Sequence, residues 1–196
     1  MSEIKEVDVF INFFGGINQV TIGNLIQVIV NFSRNIPINQ NIFKKAKSFN
    51  IFINSPGGMS EYGISFYNFV KAFNNSIPIN VYNIGFVDSA GVLVFCSGDK
   101  RYALPESRFV IHEGVMQAKG ELKRIKDMAK LGQESADKTA SIIAESCKKD
   151  EKIVKNDIAT HKILTSTDAK EYGLVDEIIK ELPTPSDDDI VHMIAG

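Results

Sequence analysis

Three short runs of β-branched and aromatic residues, each halted by glycine, constrain the fold of this chain more than any other feature. Residues 7–14 read VDVFINFF and stop at Gly15-Gly16; 49–54 read FNIFIN and stop at a Ser-Pro-Gly-Gly turn; 78–84 read PINVYNI and stop at Gly85. Runs of this length and composition predict strands. Between them, apolar residues recur at helical spacing. Residues 21–32 carry Ile22, Leu25, Ile26, Val28, Ile29 and Val30 behind Thr21 as the cap, and 61–73 carry Ile64, Tyr67, Val70 and Phe73. Strands alternating with helices predict βαβ units joined by right-handed crossovers, an α/β fold. Residues 35–47, with Pro37, several Asn and three Lys, read as a loop with at most a short helical turn.

Beyond Gly85 the pattern predicts a buried helix over 90–96 and short strands over 101–103 and 108–112. The most regular periodicity spans 121–147, where Leu122, Ile125, Ala129, Gly132, Ala136, Ala140 and Ile143 recur at steps of three and four. That is a long amphipathic helix, of the kind that protrudes and packs on another subunit. Residues 162–165 and 174–179 complete the ordered part. From Pro183 the chain reads PTPSDDDIVHMIAG, a polar, proline-bearing stretch expected to be a mobile tail. The expectation is one domain over 1–182 and a tail over 183–196, a division that 196 residues accommodate around a single core.

Composition narrows the function classes. A net charge of −2 and a sequence pI near 5.9 give no basis for binding nucleic acid or an anionic membrane. Two cysteines, Cys96 and Cys147, suit neither a disulfide framework nor a metal cluster, so neither metal nor cofactor is expected, and a reducing, cytoplasmic compartment is. The N-terminus, MSEIKEVDVF, lacks the basic-then-apolar order of a secretory signal, and no window reaches the roughly 18 apolar residues of a membrane span.

Four stretches carry candidate chemistry. In GFVDSAGVLVF (85–95), Ser89 stands at the mouth of a segment bound for burial. It reads either as a helix cap or as a nucleophile at a helix N-terminus, where free N–H groups favour developing negative charge. In INSPGG (53–58), Gly57 and Gly58 make a plain turn or let backbone N–H groups approach an oxyanion. In RFVIHEG (108–114), His112 is a polar group at a strand rim or the general base for Ser89. DAKEYGLVDEII (168–179) reads as a helix C-terminus running into a strand, with a scaffold role.

Taken together and in order, INSPGG, the Gly85-Ser89-Gly91 helix start, KRYALPESRFVIHEG and AKEYGLVDEII closely resemble the ClpP family of serine peptidases, from about residue 7 to 179. The resemblance implies a ClpP/crotonase-like fold with a long handle helix. It also implies serine endopeptidase activity, with Ser89 as nucleophile, His112 as base, and the Gly58 and Ala90 N–H groups as the oxyanion hole. Substrates would be peptides or unfolded proteins, cut inside a chamber of two stacked seven-membered rings joined through the handle, with 114–120 as the strand beside the substrate. A degenerate ring subunit partnering an active paralogue is the alternative.

Three departures from the family pattern stand out. The chain starts at the family's first core strand, so the axial pore segment is expected to be absent and the entrance wide. The aromatic positions that help to dock an AAA+ unfoldase read Asn50 and Phe52, beside an insertion over 37–47, which leaves such a partner uncertain. Counting back from YGLVD, the triad acid falls at His161. Asp157 or a backbone carbonyl is the alternative partner for His112.

Overall fold

The computed structural model describes residues 3–37, 42–73, 76–115 and 117–196. The first strand, β1 (Glu3–Phe14), begins earlier than the apolar run alone suggests and ends at Gly15, whose φ of 147° favours glycine. The chain then enters α1 (Gln19–Phe32). Its cap is Asn18, not Thr21: Asn18 Oδ1 accepts from the Val20 and Thr21 N–H groups, and Thr21 Oγ1 accepts from the Asn18 N–H in return. Thr21 is thus the third-residue member of a capping box. Ile22, Leu25, Val28 and Ile29 bury the inner face of α1.

The stretch expected as a loop over 35–47 is largely strand. A two-residue β2 (Ile36–Pro37) pairs antiparallel with the start of β3 (Ile42–Ser55), and 38–41 fall outside the described residues. The Lys and Asn content hid this strand because β1 supplies a ladder partner all the way out, from Glu3 opposite Ile42 to Phe14 opposite Asn54. Charged residues tolerate a strand whose faces are part-exposed.

After α2 (Ser60–Ala72), β4 (Ile79–Asp88) delivers the chain to α3 (Gly91–Cys96), all six residues of which are buried. Then follow β5 (Lys100–Ala103), β6 (Arg108–Ile111), α4 (Leu122–Cys147), α5 (Glu151–Ala159), β7 (Lys162–Thr165), α6 (Ser166–Tyr172) and β8 (Glu177–Ile178). Among the described residues these strands and a C-terminal β9 (Ile190–Ala195) form one nine-stranded sheet whose main path runs β7-β6-β4-β3-β1-β9; β1, β3, β4 and β6 are parallel, and β7 is antiparallel to β6. The α/β fold with βαβ crossovers is as the pattern requires. Among the described residues no helix is long and apolar enough to cross a membrane.

The region expected as a mobile tail holds a strand. β9 (Ile190–Ala195) pairs in parallel with β1, from Val9 opposite Ile190 to Phe14 opposite Ala195. Its approach is held by Asp189, which accepts from the Asp8 N–H at 2.8 Å. The residues of β9 follow the SDDD tract and satisfy the free edge of β1, while Ile194 is sealed into the core at 3% exposure. Ile194→Ala should therefore cost about 2–4 kcal/mol in chemical denaturation. Parental stability would mean the edge strand contributes nothing.

Helix α4 buries only Ala140, Ile142, Ile143, Ala144 and Cys147, near its C-terminus. Its N-terminal part projects, with Leu122 and Leu131 exposed, anchored by a 2.8 Å hydrogen bond between Ser60 and Ser135 and by Lys155 against Asp137. A second cluster holds Phe10 tilted against Phe52, Phe52 edge to face with Tyr82, and Tyr102 stacked on Tyr82. Burial pushes the Tyr82 phenol up to about 12, so it remains a donor to Asn50 Oδ1, and Asn50 is itself buried in that contact.

Candidate active site

Parallel strands bring their C-terminal ends to one edge of the sheet, where α/β proteins build sites. Three such ends meet here. β4 and β6 pair so that Asp88 lies opposite Val110, and the Ser89 N–H donates to the Val110 carbonyl at 2.8 Å. Ser89 is the next residue on one strand; His112 lies two beyond Val110 on the other. Ser89 sits at φ 54°, a left-handed conformation that non-glycine residues seldom adopt. The strand must turn at once into buried α3, and Ser89 is the corner. Its side chain does not cap the helix: the N-cap position is Ala90, without a side-chain bond. A strained serine at a strand-to-helix corner is the geometry that exposes a nucleophile's Oγ.

The third end belongs to β3, continued by Ser55-Pro56-Gly57-Gly58. Ser55 Oγ donates to the Gly15 carbonyl at 2.7 Å, and Ile17 and Gly58 form a parallel bridge, which fastens this loop to the β1–α1 turn. Gly57, at φ 88°, lies against the corner so closely that a methyl group there would come within 2.5 Å of the Ser89 Cβ. No hydrogen bond among the described residues uses the Gly58 or Ala90 N–H. Among the described residues both donors are thus unused: Ala90 follows Ser89 directly, and Gly58 follows Gly57, which lies against the corner.

The His112 ring donates through Nδ1 to the Glu113 carbonyl at 2.7 Å. In the neutral ring that leaves Nε2 as an acceptor, the tautomer a general base needs. The Ser89–His112 hydrogen bond itself is not formed: Ser89 Oγ has no partner among the described residues. His161 stacks on His112 with centroids 5.1 Å apart and planes at 29°. The cause is register. Ile111 pairs with Lys162 in the antiparallel β6–β7 ladder, so the next residues outward, His112 and His161, face each other. Asp157 is engaged elsewhere: its buried carboxylate accepts from Lys162 Nζ at 2.8 Å and from the Tyr172 hydroxyl at 2.9 Å. His161, not Asp157, is the group brought to His112.

The described residues of 114–120 form no strand, and Val115 is 92% exposed. A strand needs a ladder partner, and among the described residues no strand pairs with this segment. Sequence reasoning passed over Glu113, whose carbonyl orients the His112 ring; a backbone acceptor leaves no signal in residue type.

A Clp protease family model matches residues 39–182, starting later than the resemblance read from the sequence motifs. The chain belongs to the Clp protease family. Among solved structures, a ClpP1 mutant from Listeria monocytogenes shares 25% identity at a TM-score of 0.72, over 88% of this chain and 91% of that one. The ClpP fold is therefore the fold of this chain, and β9 lies outside the segment that the family model matches.

Proposed function

We propose that this Clp protease family chain is a serine endopeptidase acting on peptides and unfolded polypeptides. The observation that carries the reading is Ser89 held at positive φ directly after β4, beside the strand β6 that leads into His112, with the Gly58 and Ala90 N–H groups unused among the described residues. Ser89 Oγ attacks the scissile carbonyl as His112 Nε2 takes its proton. The resulting oxyanion is held by the Gly58 and Ala90 N–H groups. Collapse expels the amine, which receives the proton from His112, and leaves an acyl-enzyme that water hydrolyses by the same steps in turn. In this reading the projecting half of α4 pairs rings of the same chain, which enclose the sites in a chamber in the cytoplasm. An AAA+ unfoldase is not required for small unfolded substrates. Labelling of purified protein by a fluorophosphonate probe, lost in Ser89→Ala, with a ring mass in sedimentation, tests both parts. A stable monomer at micromolar concentration overturns the ring.

The unformed Ser89–His112 bond and an imidazole in place of the acid favour a second reading, a catalytically silent subunit for an active paralogue. A probe that leaves Ser89 unlabelled selects it.

A stacked neutral imidazole steadies the base but supplies no negative charge to balance the imidazolium that forms on His112. His161→Asp should therefore raise kcat near neutral pH, and His161→Ala should lower it about tenfold. Indifference of kcat to both changes removes His161 from the mechanism.

A further inference from the structure

We infer that Lys162 is a positioning residue that holds His161 against His112 by clamping the turn beneath it, with buried Asp157 and Tyr172 as its anchor. The inference rests on the peptidase reading above. His161, just past the end of α5, has φ 55°, the left-handed conformation in which helices often end and which costs an L residue more than it costs glycine. The turn that carries it leaves α5 after Ala159. Inside the turn, the Thr160 hydroxyl donates to the Asn156 carbonyl at 2.9 Å, and the His161 N–H donates to the Ile158 carbonyl at 3.2 Å. Neither bond reaches across to β7.

The bond that does is Lys162 Nζ to Asp157 Oδ1 at 2.8 Å, closing the loop from α5 to the first residue of β7. Asp157 is only 7% exposed, and its second oxygen is held by the Tyr172 hydroxyl of α6. The Lys162 ammonium also lies 5.4 Å from the centre of the Tyr172 ring, and Lys149 lies 4.5 Å from that centre. Three elements thus converge on one carboxylate whose charge is matched by lysine. A charge-assisted bond to a buried acceptor is worth more than an exposed pair, so this contact can hold a strained turn.

The clamp bears on the site through register. Lys162, the first residue of β7, forms the terminal pair of the ladder opposite Ile111, and the residues just beyond that pair are the two stacked histidines. If Lys162 lets go, the β7 end frays by one residue and the imidazole beside it leaves the ring of His112. Asp157 serves the base at one remove, which explains how a carboxylate can lie nearby in sequence yet make no bond to His112.

The test uses the full-length protein and a small fluorogenic peptide. Lys162→Met keeps the aliphatic stem and the backbone ladder but removes the charge; Lys162→Arg keeps the charge. Lys162→Met is expected to lower kcat about tenfold or more with KM little changed, and Lys162→Arg to restore most of it. In a double-mutant cycle, Lys162→Met should cost nothing further once His161→Ala is present, because both changes remove the same stacked ring. Equal losses in the two backgrounds, or parental kcat in Lys162→Met, overturn the clamp. A readout independent of turnover separates this from failure of the peptidase reading. In protein carrying 13Cε1-histidine, the ring-current shifts of His112 and His161 should collapse in Lys162→Met and persist in Lys162→Arg. If the parent neither hydrolyses peptide nor labels at Ser89, the peptidase reading falls, and collapse of those shifts still supports the clamp. Their persistence in Lys162→Met overturns it.

Discussion

Replacing Ser89 by alanine is expected to abolish peptide hydrolysis while leaving the fold and assembly in place. Loss of a nucleophile typically removes several orders of magnitude from kcat, leaving only what the oxyanion donors and binding contribute. Ser89 Oγ bonds to no described residue, and the side chain caps nothing, so its removal orphans no partner. Alanine must still adopt the left-handed corner that serine occupies at φ 54°. Ser89→Gly removes that strain, and it should be more stable than the parent by about 1 kcal/mol while equally inactive. Activity against stability is the signature: both variants are silent, and glycine alone gains in chemical denaturation. Near-parental hydrolysis by either variant would sink the assignment of the nucleophile. A glycine variant without added stability would show the corner to be unstrained.

Gly57→Ala should be nearly as damaging, for a geometric reason. At φ 88° any side chain is strained, and a methyl group would lie 2.5 Å from Ser89 Cβ, 2.6 Å from the Asp88 carbonyl oxygen and 3.2 Å from the Ala90 N. None of these is the free end of a flexible side chain, so either the loop or the nucleophile corner must retreat. Retreat in either direction spreads the Gly58 and Ala90 donors. Losing one oxyanion donor costs about 10²–10³ in kcat, and the clash adds a stability cost of about 1–3 kcal/mol. Gly23→Ala is the control. It lies in α1 with open space around it, and there alanine should stabilise by about 0.5–1 kcal/mol without touching turnover. Steady-state kinetics and urea denaturation of the pair decide the matter: Gly57→Ala with parental kcat would show that this loop does not build the oxyanion hole.

What residue order determined by itself was the local grammar. β-branched and aromatic runs placed β1 and β4, an apolar run placed α3, and apolar residues at steps of three and four placed α1, α2 and α4, each within a few residues. The positions of Ser89 and His112 were legible for the same reason, since both follow directly on apolar strands and parallel strands end together.

Tertiary structure decided everything that depends on a distant partner. β9 is a strand only because β1, some 180 positions earlier, offers a free edge, and the acidic residues before it looked like a solvated tail until Asp189 met the Asp8 N–H. The outer half of β3 is a strand because β1 runs beside it, despite its lysines. Helix α5, with Ile153, Val154 and Ile158 as its only large apolar residues, has too little pattern to announce itself without α4 and β7 to pack on. At the site, residue types alone left His161 and Asp157 as rivals for the acid's place. The β6–β7 register sets one against His112, and the ammonium of Lys162 claims the other, because a buried carboxylate goes to the cation that neutralises it.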